Sequence, residues 1–315
     1  MTAIPTLAPS LAPIDAVIAR VRSAYGRWSR TTTIEQMRGD WDALFAADPV
    51  DASVRPVSAG GVAAEWITAA GARDDRVVVY FHGGGFRIGS LASHRALMAG
   101  ISAASGWRVL GVEYRRAPEH CFPAPVDDAL AAYAWLREQG IAVDRIAFAG
   151  DSAGAGLALS TLLSLREQAL PMPAAAVLMS AWTDLSASGD SYRSRADVDP
   201  IHQRPMILAM ARGYLGEGVD ARDPRASPLF ADLHGLPPLL LQVGDRETVL
   251  DDSRAFAVKA KAAGVDVRLE VWDDMIHVFQ QFPAELVEAR RAVAAIGAFL
   301  RERLAAPPSQ RGSST

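Results

Sequence analysis

The chain of 315 residues has a single cysteine, Cys121, so no intrachain disulfide can form, and a zinc site would have to be built from histidines and carboxylates. No run of about 18 uninterrupted apolar residues occurs, and the first twenty residues lack a basic stretch followed by a continuous apolar one. Neither a membrane-spanning helix nor a secretory leader is expected, and a reducing, cytoplasmic location is. Lys and Arg form no cluster dense enough to follow a phosphate backbone, and a formal net charge of −4 supplies no broad basic surface, which argues against a nucleic-acid partner. Apolar residues are plentiful: 50% of the chain is hydrophobic and 22% charged, a composition that buries a large core rather than remaining disordered.

Hydrophobic periodicity organises the chain. Asp15 to Ala24 and Ile34 to Ala47 carry apolar residues at helical spacing, and Ser53 to Ser58 with Val62 to Thr68 flank a Gly60-Gly61 turn as a hairpin would. From Arg76 onward, short apolar runs at Val77 to Phe81, Trp107 to Val112, Ile146 to Ala149, Ala174 to Met179 and Leu239 to Val243 alternate with helical patterns at His94 to Ser105, Val126 to Gln139, Ala153 to Gln168, Asp251 to Ala263 and Ala284 to Arg303. Strands buried on both faces read this way, and their alternation with helices implies a doubly wound α/β fold with a mostly parallel sheet. Ser186 to Arg225 interrupts the rhythm with a polar segment around a short apolar helix, Met206 to Tyr214, as an insertion over the sheet would. The tail 306–315 holds too little apolar surface to order itself.

Two glycine-bearing motifs sit where strands end. Ile146 to Ala149 runs into Gly150-Asp151-Ser152-Ala153-Gly154 and at once into a helical pattern, the strand-to-helix context that makes G-x-S-x-G a nucleophile elbow. Ser152 is the candidate nucleophile. After Val77 to Phe81 comes His82-Gly83-Gly84-Gly85-Phe86, whose glycines let amide groups converge on a developing oxyanion; Gly84, Gly85 and Ala153 are the expected donors. The loop lacks the Lys-Ser/Thr of a phosphate-binding loop and the spacing of a dinucleotide fingerprint.

Of the six histidines, His82 belongs to the glycine loop, His94 to a helix, His120 to a Pro-rich turn, His202 to the insertion and His234 to a loop. His277 follows the strand Val267 to Trp272, the late position a Ser, acid, His order requires, and is the candidate general base. The loop after Leu239 to Val243 offers Asp245, Glu247, Asp251 and Asp252 as the acid; order alone does not choose among them.

The sequence resembles the bacterial hormone-sensitive-lipase-like carboxylesterases, in the α/β-hydrolase superfamily, from about Val62 to Leu300. Besides the two glycine motifs, the resemblance rests on Glu113 to His120, Phe122-Pro123-Ala124, Ser180 to Leu185, Ser227-Pro228-Leu229 and Leu236-Pro237-Pro238. It implies an α/β-hydrolase core over residues 51–305, with a helical cap made of the helices in residues 1–50 and the insertion at about 186–225. It also implies that Glu247, 30 residues ahead of His277, is the acid, at a position where most relatives carry Asp; Asp245 is the alternative. Trp41, Phe45, Phe86, Ile201, Met206 and Tyr214 are candidates to line an acyl pocket. The implied activity is serine-dependent hydrolysis of short-to-medium-chain carboxylic esters. Lactone hydrolysis is the alternative with the same residues, and a catalytically silent small-molecule receptor is disfavoured because Ser152 and His277 are both retained. No metal or organic cofactor is implied, and a homodimer is compatible with the sequence.

Overall fold

The computed structural model describes residues 13–304, so the expectation for the tail 306–315 lies outside the described residues. Strands β1 (Ser53–Ala59), β2 (Val62–Thr68), β3 (Arg73–Phe81), β4 (Trp107–Val112), β5 (Ile146–Asp151), β6 (Ala175–Met179), β7 (Leu239–Gly244) and β8 (Val267–Trp272) form one eight-stranded sheet in the order β1-β2-β4-β3-β5-β6-β7-β8. Only β1–β2 and β2–β4 pair antiparallel; from β4 to β8 every pairing is parallel. The helices are α1 (Pro13–Tyr25), α2 (Ile34–Phe45), α3 (Leu91–Ser105), α4 (Ala124–Glu138), α5 (Ala153–Glu167), α6 (Ser191–Ser194), α7 (Arg204–Leu215), α8 (Leu250–Ala262) and α9 (Val287–Leu304).

The period of two in β3 sorts its side chains onto the two faces. Val77, Val79 and Phe81 point to the core shared with Phe148 and with Leu136 and Leu162 of α4 and α5, whereas Val78 and Tyr80 meet Met98 of α3 and Ile296 and Phe299 of α9. Because both faces are covered, the central strands carry long apolar runs, such as Val77 to Phe81 and Leu239 to Leu241, rather than alternating patterns. In α5 every residue from Ala153 to Leu163 is buried, the mark of a helix enclosed on all sides. A third cluster joins Val17, Val21, Trp41 and Phe45 of α1 and α2 to Met275, Ile276, Phe279 and Phe282, so the N-terminal helices pack on the segment that carries His277.

Chain direction reverses its progress across the sheet at β3 and β5, whose carboxyl ends lie side by side; such a switch point opens a crevice there. Both glycine-bearing motifs sit in it. Among the described residues, no helix is long and apolar enough to cross a membrane.

Candidate active site

β5 delivers Ser152 with φ 51° and ψ −118°, a left-handed conformation that costs a non-glycine residue energy and persists only where the surroundings enforce it. The Ser152 amide donates to the Met179 carbonyl (2.8 Å), and its own carbonyl accepts from the Trp182 amide (3.1 Å), so β6 and the loop after it clamp the turn from both sides. A Cβ on Gly154 would collide with the Phe81 carbonyl oxygen, which explains why the elbow needs glycine two residues after the serine. Helix α5 starts at Ala153, so its free N-terminal amides and positive dipole end face the same point.

The glycine loop leaves β3 at His82. Gly84 has φ 112°, and a Cβ there would strike the Ile88 carbonyl. The Gly83 amide donates to Asp151 Oδ1 (3.0 Å), whereas the amides of Gly84 and Gly85 have no acceptor among the described residues. Gly84 and Gly85 line the same cavity as Ser152; Ala153, buried at the helix start, is not among the lining residues. His82 is occupied structurally, with Nδ1 against the Gly83 carbonyl (2.8 Å) and its ring stacked 4.3 Å from Tyr114. Burial, reinforced by neighbouring His94, pushes its pKa down to about 3 and keeps it neutral.

His277 lies across the cavity from this loop. Its Nδ1 is 2.8 Å from Glu247 Oε2, with Glu247 fully buried. The second carboxylate oxygen of Glu247 accepts from the Gly244 amide (2.5 Å) and the Ser180 hydroxyl (2.8 Å), and Ser180 Oγ in turn accepts from the Val278 amide (3.0 Å). The acid is thereby fixed to β7, to the residue after β6 and to the histidine loop together. Asp245, two residues earlier, makes no hydrogen bond or ion pair with His277: its amide donates to Trp272 O and its Oδ1 has no partner among the described residues. Burial disfavours the His277 cation, but the hydrogen bond and charge of Glu247 outweigh it and hold the pKa above 6.5. His277 Nε2 has no partner among the described residues; His277 and Ser152 line one cavity without a hydrogen bond joining them, an arrangement common before substrate binds.

The cavity is also lined by Val21 and Tyr25 of α1, Trp41 of α2, and Ile201, His202, Ile207 and Met210 of the 186–225 segment. Trp41 and Ile201 thus fall where the sequence placed them. Phe86 and Tyr214 do not: they stack on each other at 3.6 Å inside the core, because two flat faces gain more from one another than from an open cavity. Phe45 sits a layer back, against Trp41 and Phe282, and Met206 lines a neighbouring groove shared with Trp28 and Met37. His120 and His234 are exposed on the surface.

Sequence reasoning missed a second carboxylate–histidine pair behind Ser152. Asp151, fully buried, accepts from Tyr80 Oη (2.5 Å) and the Gly83 amide, and its Oδ2 is 3.4 Å from His94 Nε2, within ion-pair reach though outside hydrogen-bond alignment. The only sequence signal was Asp151 next to the candidate nucleophile, at the end of the apolar run Ile146 to Ala149.

A buried carboxylate on an imidazole, a strained serine at a strand-to-helix turn and free amides facing one cavity on a doubly wound sheet define a serine hydrolase of the α/β-hydrolase class. The family described as the alpha/beta hydrolase fold matches residues 78–281. The chain is 46% identical over 245 residues to an acetyl-hydrolase of Streptomyces hygroscopicus (78% of this chain, 81% of that protein) and 40% identical over 256 residues to an esterase of Acinetobacter venetianus (81% and 84%). It superposes with a TM-score of 0.90, at 46% identity, on the crystal structure of an esterase from the bacterial hormone-sensitive lipase family, covering 95% of this chain and 99% of that one. The chain belongs to that family of carboxylic ester hydrolases.

Proposed function

We propose that the protein cleaves short-to-medium-chain carboxylic esters through an acyl-enzyme on Ser152, with His277 as general base, Glu247 as the orienting acid and the amides of Gly84, Gly85 and Ala153 as the oxyanion hole. One observation carries this reading: Glu247 Oε2 lies 2.8 Å from His277 Nδ1, which fixes the neutral tautomer with its free Nε2 turned to the cavity of Ser152. Ser152 Oγ attacks the ester carbonyl while its proton passes to His277 Nε2, and Glu247 stabilises the imidazolium. Negative charge on the carbonyl oxygen is met by the glycine-loop amides and the α5 N-terminus. Collapse expels the alcohol, which takes the proton from His277, and a water repeats the sequence to release the acid and restore the serine.

The cavity is closed in by the bulky side chains of Tyr25, Trp41, Trp182 and Phe282, which suits an acyl group near the short end of the range. α1, α2 and the 186–225 segment act in this reading as a cap that excludes bulk water. The lone Cys121 supports a reducing, cytoplasmic setting.

The test is a matrix of p-nitrophenyl esters and lactones assayed with wild type and Ser152→Ala, together with a serine-directed organophosphate. Stoichiometric labelling of Ser152 and loss of hydrolysis by several orders of magnitude in Ser152→Ala are expected. Activity of Ser152→Ala within about tenfold of wild type would overturn the mechanism.

A further inference from the structure

His202 has no part in the scheme above, yet it is 94% buried in the wall of the catalytic cavity, with its ring centroid 4.3 Å from that of His277 and the two planes at 88°. It arrives there held rather than loose. Asp199 Oδ1 accepts from the amides of Ile201 and His202 (2.9 Å each), and Asp199 Oδ2 accepts from the amide and hydroxyl of Thr248 (2.8 and 3.0 Å), the residue next to Glu247. One buried carboxylate therefore pins the insertion to the loop of the acid and presents the His202 ring at a fixed place.

The ring's own hydrogen bonding is unfinished. Nδ1 is sealed from solvent with no partner, and Nε2 makes no hydrogen bond to any described residue. A buried N–H without an acceptor is the costlier orphan, so the single proton of the neutral ring belongs on Nε2, at the edge that meets the cavity. Burial and the adjacent His277 lower the pKa to about 3, so the ring is neutral wherever His277 can act as a base. The cavity thus holds a fixed hydrogen-bond donor that hydrolysis of a plain alkyl ester would leave unsatisfied, at a cost.

Which part of the substrate meets it follows from its neighbour. The alcohol oxygen must come within hydrogen-bond reach of His277 Nε2 to receive its proton, so a ring packed on the His277 imidazole flanks the alcohol side, across from the glycine amides that hold the carbonyl oxygen. We propose that His202 is a specificity-determining residue that donates from Nε2 to an oxygen in the alcohol part of the ester, so that the preferred substrates are short-acyl esters of ether- or hydroxyl-bearing alcohols rather than of plain alkyl alcohols. This rests on the triad assignment of the preceding section.

The test compares 2-methoxyethyl acetate with butyl acetate, which share acyl group and chain length and differ by one oxygen in place of a methylene. Each kcat/KM is divided by the rate of hydroxide-catalysed hydrolysis of the same ester to remove intrinsic reactivity. Wild type should favour the methoxyethyl ester about tenfold, the value of one well-made hydrogen bond. His202→Leu should bring the normalised ratio close to one, and His202→Gln, which keeps an N–H donor of similar reach, should restore most of it. A normalised wild-type ratio of one or less overturns the proposal whether or not the variants fold. So does a ratio that His202→Leu leaves unchanged while both rates fall, because the ring would then serve the triad and not the substrate. Failure of the triad assignment reads out separately, as an active Ser152→Ala.

Discussion

Two carboxylate–histidine pairs flank Ser152, Glu247 with His277 on one side and Asp151 with His94 on the other, and they differ mainly in what lies beyond the imidazole. Both carboxylates are buried, and in both pairs the carboxylate overcomes burial to hold the histidine pKa above 6.5. Beyond His277 is a cavity, so its free Nε2 can exchange a proton with a bound molecule. Beyond His94 is helix: its Nδ1 contacts Ser93 Oγ and Ser90 O at the first turn of α3, so that although Asp151 borders the cavity its histidine does not. The Asp151 carboxylate spends its other contacts on Tyr80 and on Gly83, the residue preceding the two free amides. In the proposed mechanism the same chemical unit transfers a proton where its imidazole opens to the cavity, and positions the glycine loop where its imidazole is turned into a helix.

Breaking the open pair has the largest expected effect. His277→Ala should lower kcat on the order of 10⁶-fold in steady-state ester hydrolysis, the scale of losing a triad histidine; a loss below about a hundredfold would move the base elsewhere. Glu247→Gln keeps the shape but removes the charge, with an expected loss of roughly 10³ to 10⁴ in kcat. The pH profile adds an independent check. In the proposed mechanism activity needs neutral His277, whose pKa Glu247 holds above the ordinary 6.5, so wild-type kcat/KM should fall with decreasing pH at a midpoint above 6.5. In Glu247→Gln burial is opposed only by the smaller effects of the Asp199 and Asp151 charges, so the acid limb of the residual activity should move to lower pH.

The closed pair should report mainly in stability. His94→Ala leaves Asp151 buried without its cation and should cost roughly 3–5 kcal/mol in denaturant unfolding, with kcat lowered by about tenfold or less. The sign follows from both shifts: the raised His94 pKa adds stability below about 6.5 that fades as pH rises through the folded value. The Asp151 shift runs the other way: burial pushes its pKa up, but His94 and Tyr80 bring it below the ordinary value. That contribution is present above about 3.8 and is lost as pH falls through the folded value. The smallest effect belongs to Asp245→Asn, expected within about twofold of wild-type activity because this carboxylate makes no hydrogen bond to His277 among the described residues. A crippled Asp245→Asn beside a near-normal Glu247→Gln would transfer the acid role.

The alternation of elements was legible because strands covered on both faces leave unbroken apolar runs such as Val77 to Phe81. Boundaries shifted where polar residues do local work. Helix α3 starts at Leu91 rather than His94 because Ser90 and Ser93 cap each other across its first turn, and the pattern of apolar spacing passes over them. Ser152, His277 and Glu247 were nameable from motif, order and resemblance. What surrounds them was not: the tie from Asp199 to Thr248 joins residues 49 apart, and Ser180 reaches Glu247 across 67, distances at which linear pattern holds no information about contact. The pocket lining failed for a related reason. Phe86 and Tyr214 look like any other aromatic side chains in the sequence, and only three-dimensional packing turns them toward each other.

The Asp199 anchor also bears on how the protein fails when heated. Because one carboxylate holds both the insertion and Thr248, any fluctuation that lifts the 186–225 segment also frees the backbone beside Glu247. Such sub-global openings occur at free energies below that of whole-molecule unfolding. Heat inactivation should therefore set in below the calorimetric transition, at temperatures where amide exchange at Asp199, Ile201, His202 and Thr248 accelerates together while β3 and β5 are still protected.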